Sequence, residues 1–225
     1  MYDIIFISYN EPNAEENWQK LKDRFSISKR VSGVKGIHQA HIAAAKKSFT
    51  KMFWVVDGDA IIKDNFKFDH NVSEWDLNTV HVWRSENPVN GLIYGYGGVK
   101  LLPTSLTKKM DVSKTDMTTS ISNRFKIANT VSNITNFNTD PFNTWKSAFR
   151  ECVKLSSNTI DRYNLKDNRE RLEIWCTIGS EKPFGTYCIL GAIQGKEYGL
   201  KYANDKLMLA KINDWEWLTS EFNKL

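Results

Sequence analysis

Met52-Phe53-Trp54-Val55-Val56-Asp57-Gly58-Asp59 is an apolar run that stops abruptly at two carboxylates. Such a run reads as an apolar strand with its acids at the carboxyl end, and Gly58 between them leaves the backbone free to turn. Working outward, Asp3-Ile4-Ile5-Phe6-Ile7-Ser8 is a second short, largely apolar strand that opens into Tyr9-Asn10-Glu11-Pro12. After it, Asn13 can cap a helix with Glu15 and Glu16 in its first turn and Trp18, Leu21 and Phe25 on one face. Residues 30–36 read as a loop with two glycines, and 37–49 as a second, Ala-rich helix. The order β-α-α-β, with a further strand near Val80-His81-Val82-Trp83, predicts an α/β sheet flanked by helices. Ligands bind such sheets outside the strand carboxyl ends, so residues 8–12 and 57–59 are expected on one rim.

Further along, Asn90-Gly91-Leu92-Ile93-Tyr94-Gly95-Tyr96-Gly97-Gly98-Val99-Lys100 is glycine-rich, and its glycines permit close approach of backbone to a ligand. Residues 104–140, rich in Thr, Ser, Asn and Asp, are expected to be irregular. A helix is expected over about 143–158, because Trp145, Ala148, Phe149, Cys152 and Leu155 form a stripe. The charged stretch 161–171 reads as the solvated face of a helix or as a loop. Another helical pattern spans 184–198, and the tail 207–222 reads as an amphipathic helix through Trp215, Trp217, Leu218 and Phe222.

The 225 residues fit one large domain, with a first half at 1–100 and a second at 101–225. A net charge of +5 suits an anionic partner without demanding one. Three cysteines without zinc spacing read as free buried thiols. No run is long and apolar enough to span a membrane, and no basic leader with an apolar core opens the chain. A cytoplasmic protein with no membrane partner is expected.

An Asp-X-Asp at a strand end suits a hard divalent cation. Mg²⁺ or Mn²⁺ prefers carboxylate oxygens and neutralises charge on a diphosphate leaving group. Asp57 and Asp59 are the candidate metal pair. Asp59 would bind the ion directly, and Asp57 the ribose or a metal-bound water.

The strings Phe6-Ile7-Ser8-Tyr9-Asn10-Glu11-Pro12, Gly33-Val34-Lys35-Gly36-Ile37-His38-Gln39-Ala40 and Trp54-Val55-Val56-Asp57-Gly58-Asp59 resemble the nucleotide-binding half of GT-A glycosyltransferases. Val80-His81-Val82-Trp83-Arg84-Ser85, the Tyr94 to Lys100 string and Asn138-Thr139-Asp140-Pro141-Phe142-Asn143-Thr144-Trp145 are similar to small glycosyltransferases of large tailed phages. That resemblance implies a GT-A (nucleotide-diphospho-sugar transferase) fold with a mixed central sheet in a single domain. It implies transfer of a sugar, arabinose included, from a UDP-sugar to hydroxylated cytosine in double-stranded DNA.

The resemblance also implies site residues. Ser8, Tyr9 and Glu11 would line the uracil and ribose pocket, with Tyr9 stacking on the base, and Lys35 would lie near the nucleotide. Gly97 and Gly98 match a loop that closes over the donor sugar. Val99-Lys100 stands where related enzymes often carry Glu-Asp, so Lys100 is a candidate diphosphate contact. Trp83 and Arg84 would meet the sugar or diphosphate, or form an ordinary cation–π pair. No histidine follows His81, which leaves the third metal ligand to water, an Asp or His81. An inverting transferase needs a base, for which Asp140 and Asp116 are candidates. A DNA acceptor calls for phosphate contacts, for which Lys108, Lys109, Arg124, Lys146 and Arg150 are candidates. Two other readings stay open: a glycan or protein acceptor, and a non-enzymatic nucleic-acid-binding α/β module.

Overall fold

The computed structural model describes residues 1–95, 97–114, 116–159 and 164–225; Tyr96 of the glycine loop and Asp161 of the charged stretch lie outside these. Strand β1 (Asp3–Ser8) is followed by helix α1 (Ala14–Arg24), strand β2 (Lys29–Ser32), helix α2 (Ile37–Lys47) and strand β3 (Met52–Asp57). β1 pairs in parallel with β2 on one side and β3 on the other. The chain thus winds to opposite sides of β1, which makes the β1/β3 carboxyl ends a topological switch point. β2 lies where the sequence predicts a loop. Its four residues include one buried side chain, Val31, and an edge strand this short leaves no alternation to read.

Strands β4 (Ala60–Ile62), β5 (Val80–Glu86), β6 (Ile93–Tyr94), β7 (Val99–Pro103) and β8 (Phe125–Thr135) complete a mixed sheet. Among the described residues its order is β2-β1-β3-β7-β5-β8-β4, with β6 on β5. β7 is antiparallel to both β3 and β5, and β8 is parallel to β5. Residues 104–140 are therefore far from irregular. They contain helix α3 (Thr104–Lys108), helix α4 (Met117–Ile121) and the eleven residues of β8. The polar composition of β8 follows from its largely exposed first half.

Alternation along the strands builds two cores. Ile4, Phe6, Trp54, Val56, Trp83, Val99 and Leu101 pack with Leu21 of α1, whereas Ile5, Phe53, Val55, Val82 and Leu102 pack with Ala44 and Ala45 of α2. β3 is buried on both faces, which is why its sequence is an unbroken apolar run.

The chain forms two compact units, Met1–Asn87 with Ile93–Asn136, and Pro88–Leu92 with Phe137–Leu225. The main division thus follows Asn136 rather than residue 100, because β7 and β8 belong to the sheet. The second unit carries helices α5 (Pro141–Ser156), α6 (Leu165–Thr177), α7 (Gly185–Lys201), α8 (Lys206–Ala210) and α9 (Trp215–Phe222). The expected α5 stripe is buried, and Trp145, Phe149 and Val153 pack with Leu218 of α9. Gly191, Gly195 and Gly199 of α7 are buried at four-residue spacing, where added Cβ atoms would meet the α5 backbone. Cys152 and Cys188 are free and buried, and Cys176 is free and half-buried. No helix among the described residues is long and apolar enough to cross a membrane.

Candidate functional site

Parallel pairing brings Ile7 of β1 opposite Asp57 of β3, so the two predicted strand ends do share a rim. Three elements fix the turn that follows. Asp57 N–H donates to Gly98 O at 2.9 Å, Asn17 Nδ2 of α1 donates to Gly58 O at 2.9 Å, and Asn136 N–H donates to Asp59 O at 2.7 Å. A third acid joins the pair. Glu11 Oε2 accepts from Tyr9 N–H at 2.8 Å, and a Cβ on Gly58 would lie 2.8 Å from that same oxygen. A side chain at Gly58 would push the Glu11 carboxylate aside and come within 3.2 Å of Ile7 O.

Lys100 meets Asp57 directly. Its Nζ donates to Oδ1 at 2.8 Å and Oδ2 at 2.7 Å, and the residue is 5% exposed. The pairing arises because β7 enters the rim beside β3, with Lys100 opposite Val55 on the α2 face. Gly97, at φ +83°, supports the ammonium arm from the loop side; a Cβ there would lie 3.2 Å from Lys100 Cε. The predicted diphosphate contact is thus a buried cation already committed to Asp57.

Asp59 keeps part of its surface in solvent. Its pKa is nevertheless pushed up to about 7, first by burial and then by the Asp57 and Glu11 charges, against the pull of Lys100. On α2, His41 is 2% exposed, and burial followed by the Lys100 charge pulls it down to about 4. Its Nδ1 bonds Ile37 O at 2.7 Å, while its buried Nε2 has no partner among the described residues.

The remaining expected residues are placed differently. Ser8 is buried, and its hydroxyl accepts from Arg30 Nε and Nη2, both at 3.2 Å, so it fixes β2 to β1. Tyr9 is half-buried at the rim, and Lys35 is exposed in the loop between β2 and α2. A Cβ on Gly98 would lie 2.4 Å from Asn133 Nδ2, so the glycine allows β7 to pass the buried Asn133 amide. Trp83 is not a ligand platform. It is 3% exposed, 4.5 Å from Trp54 between ring centroids, and belongs to the core under α1. Arg84 is half-buried, two residues beyond Val82, which pairs with Lys100 across the ladder. The β5–β8 register shifts on both sides of Arg84, and this residue makes no ion pair among the described residues.

Both candidate bases are helix caps. Asp116 Oδ2 accepts from Thr119 N–H at 2.9 Å, and Asp140 Oδ1, in the helical unit, accepts from Asn143 N–H at 2.7 Å. The expected phosphate contacts are divided between the two units. Lys108 and Lys109 follow the end of β7, and Arg124 O accepts from Val80 N–H at the start of β5. Both points lie at the sheet end remote from Asp57. In the helical unit, Arg150 donates to Ile212 O at 2.7 Å and Asn213 Oδ1 at 3.0 Å. Lys146 and Arg150 both lie over the Trp215 ring, at 5.1 and 4.7 Å. Arg150→Ala is expected to destabilise this unit by about 2 kcal/mol, seen as a lower melting temperature. An unchanged melt would return Arg150 to the pool of phosphate contacts.

Among the described residues no three His, Cys, Asp or Glu side chains converge as a ligand set for a metal ion. The acids at the rim fit a divalent cation unequally. Asp57 fits less well, because the Lys100 ammonium on both its oxygens repels a cation there. Asp59 does fit, being a hard donor crowded by two other carboxylates. Asn17 and Asn136, which hold the turn, were not among the expected site residues. Asn17 has a legible signal, a polar residue on the buried stripe of α1 between Ala14 and Leu21. No protein-family model, curated protein or solved structure matches the chain.

Proposed function

We propose that the chain is a nucleotide-sugar transferase of GT-A type, taking a UDP-sugar as donor. The observation that carries the reading is the Asp-Gly-Asp turn pinned at the β1/β3 switch point, with Glu11 and Lys100 beside it. Three acids face one ammonium there, so a diphosphate can approach only with added positive charge. Asp59 would hold that charge as Mg²⁺ or Mn²⁺, which would neutralise the leaving diphosphate. Asp57, held by Lys100, keeps a fixed carboxylate for a ribose hydroxyl. Tyr9 offers its ring to the base at the end of β1, and Arg84 offers a cation toward the donor. The mixed sheet between helices suits this fold type.

The acceptor follows from sequence resemblance, which implies hydroxylated cytosine in DNA and arabinose among the sugars. UDP with Mn²⁺ is expected to raise the melting temperature by several degrees through mass action on the folded state. No shift at millimolar UDP would remove the nucleotide reading. Hydroxymethylated DNA, incubated with the protein and a panel of UDP-sugars, is expected to yield a glycosylated nucleoside by mass spectrometry. Transfer to a glycan or protein in place of DNA would keep the donor site and replace the acceptor.

A further inference from the structure

We propose that Lys100 is a positioning residue that keeps Asp57 out of cation coordination. The rim would then hold a divalent ion through Asp59, weakly, until a diphosphate supplies further oxygens. The inference rests on reading the rim as a nucleotide-sugar site, and it assigns Lys100 a role different from contact with the donor.

Three observations carry it. The ammonium donates to both oxygens of Asp57, so a cation approaching that carboxylate meets the Lys100 charge beside it and must share the oxygens with it. The lysine arm also runs beside the loop that precedes β7: a Cβ at Gly97 would lie 3.2 Å from Lys100 Cε, and Asp57 N–H is bonded to Gly98 O, which fixes the backbone that carries the carboxylate. Finally, the buried His41 Nε2 has no hydrogen-bond partner among the described residues, so it bonds neither Lys100 nor Asp57. A metal ion at Asp59 therefore meets one repelling ammonium and gains little from Asp57. Removing the ammonium frees a second carboxylate and deletes the repulsion. Both changes raise cation affinity, by about tenfold on a Coulomb estimate with a screened, partly solvated site.

The test measures Mn²⁺ binding by the loss of the free-ion electron paramagnetic resonance signal, with and without UDP. Wild type is expected to bind Mn²⁺ weakly alone and more tightly with UDP. Lys100→Met should bind Mn²⁺ alone about tenfold more tightly than wild type. Lys100→Gln, which keeps a neutral hydrogen bond to Asp57, should show the same gain if the methionine variant folds poorly. Lys100→Arg should stay near wild type. A gain of affinity is a readout that structural damage does not produce. Lys100→Met combined with Asp57→Asn should lose the gain.

Equal Mn²⁺ affinity in wild type and in whichever neutral variant folds would overturn the proposal, as would a gain that survives Asp57→Asn. The two readings separate cleanly. If UDP recruits Mn²⁺ to wild type but the neutral variants gain nothing, the donor site stands and the role of Lys100 falls. If the variants gain Mn²⁺ while UDP changes nothing, Lys100 keeps its role and the nucleotide reading falls.

Discussion

Gly195→Ala is expected to destabilise the helical unit by about 2 kcal/mol, even though alanine is the better helix former. Its Cβ would lie 2.3 Å from Phe149 O and 2.9 Å from Phe149 Cα. Both are backbone atoms of α5, so no rotamer change can relieve the overlap, and the two helices would have to part. Gly191 faces Trp145 O at 2.4 Å in the same way, so parting at one point strains the next. Against this stands a gain in intrinsic propensity of about 1 kcal/mol. The overpacking term is larger because the Trp145, Phe149 and Val153 cluster rides on α5. Denaturant melts check it, with Leu200→Ala as a control on the same helix, where the side chain is 61% exposed. A Gly195→Ala protein as stable as wild type would show that the α5–α7 approach is not tight.

Asp59→Asn is expected to abolish sugar transfer, by about a thousandfold or more if the ion at this carboxylate neutralises the leaving group. Its effect on stability should go the other way. The folded Asp59 keeps its proton up to about pH 7, whereas the unfolded chain releases it near 3.8. Between those values the native state binds the extra proton, so wild-type stability falls as pH rises and the penalty is complete above about 7. The buried histidines His38, His41 and His81 act oppositely. Their lowered pKa values cost stability as pH falls below their ordinary 6.5. The diagnostic is therefore the melting temperature of Asp59→Asn minus that of wild type. That difference should widen from pH 5 to pH 8. At pH 8, Mn²⁺ should narrow it by stabilising wild type alone. A pH-independent difference would mean that burial and the Asp57 and Glu11 charges do not hold the proton on Asp59.

What the sequence disclosed follows from burial. β3 and the end of β1 were legible because a strand covered on both faces reads as continuous apolar residues, and the acids that end it stand out. β2 and β8 were not. Lys29 and Arg30 occupy an edge strand with one buried residue, and the outer half of β8 is solvated, so neither shows a clean period of two. At the site, the acids were legible as a motif, but the engagement of Lys100 was not. It depends on β7 lying antiparallel beside β3, a long-range register that no local pattern encodes. Trp83 shows the converse: an aromatic beside an arginine looks like a binding pair until Trp54 and Phe66 are found packed on it. Asp116 and Asp140 look like free acids until the helices they start are seen.

The segment Pro88–Leu92 belongs to the helical unit, although it precedes β7 and β8 in the chain. Gly179, much later in sequence, sits so close to it that a Cβ there would lie 2.4 Å from Val89 O. During synthesis on the ribosome, then, the sheet can close once Asn136 has emerged, while residues 88–92 still wait for their partners. The helical unit acquires its last piece from a loop made long before its own helices. A protein cut after Asn136 would leave that loop stranded, and a helical unit begun at Phe137 would lack it. Neither half is a clean module for separate expression.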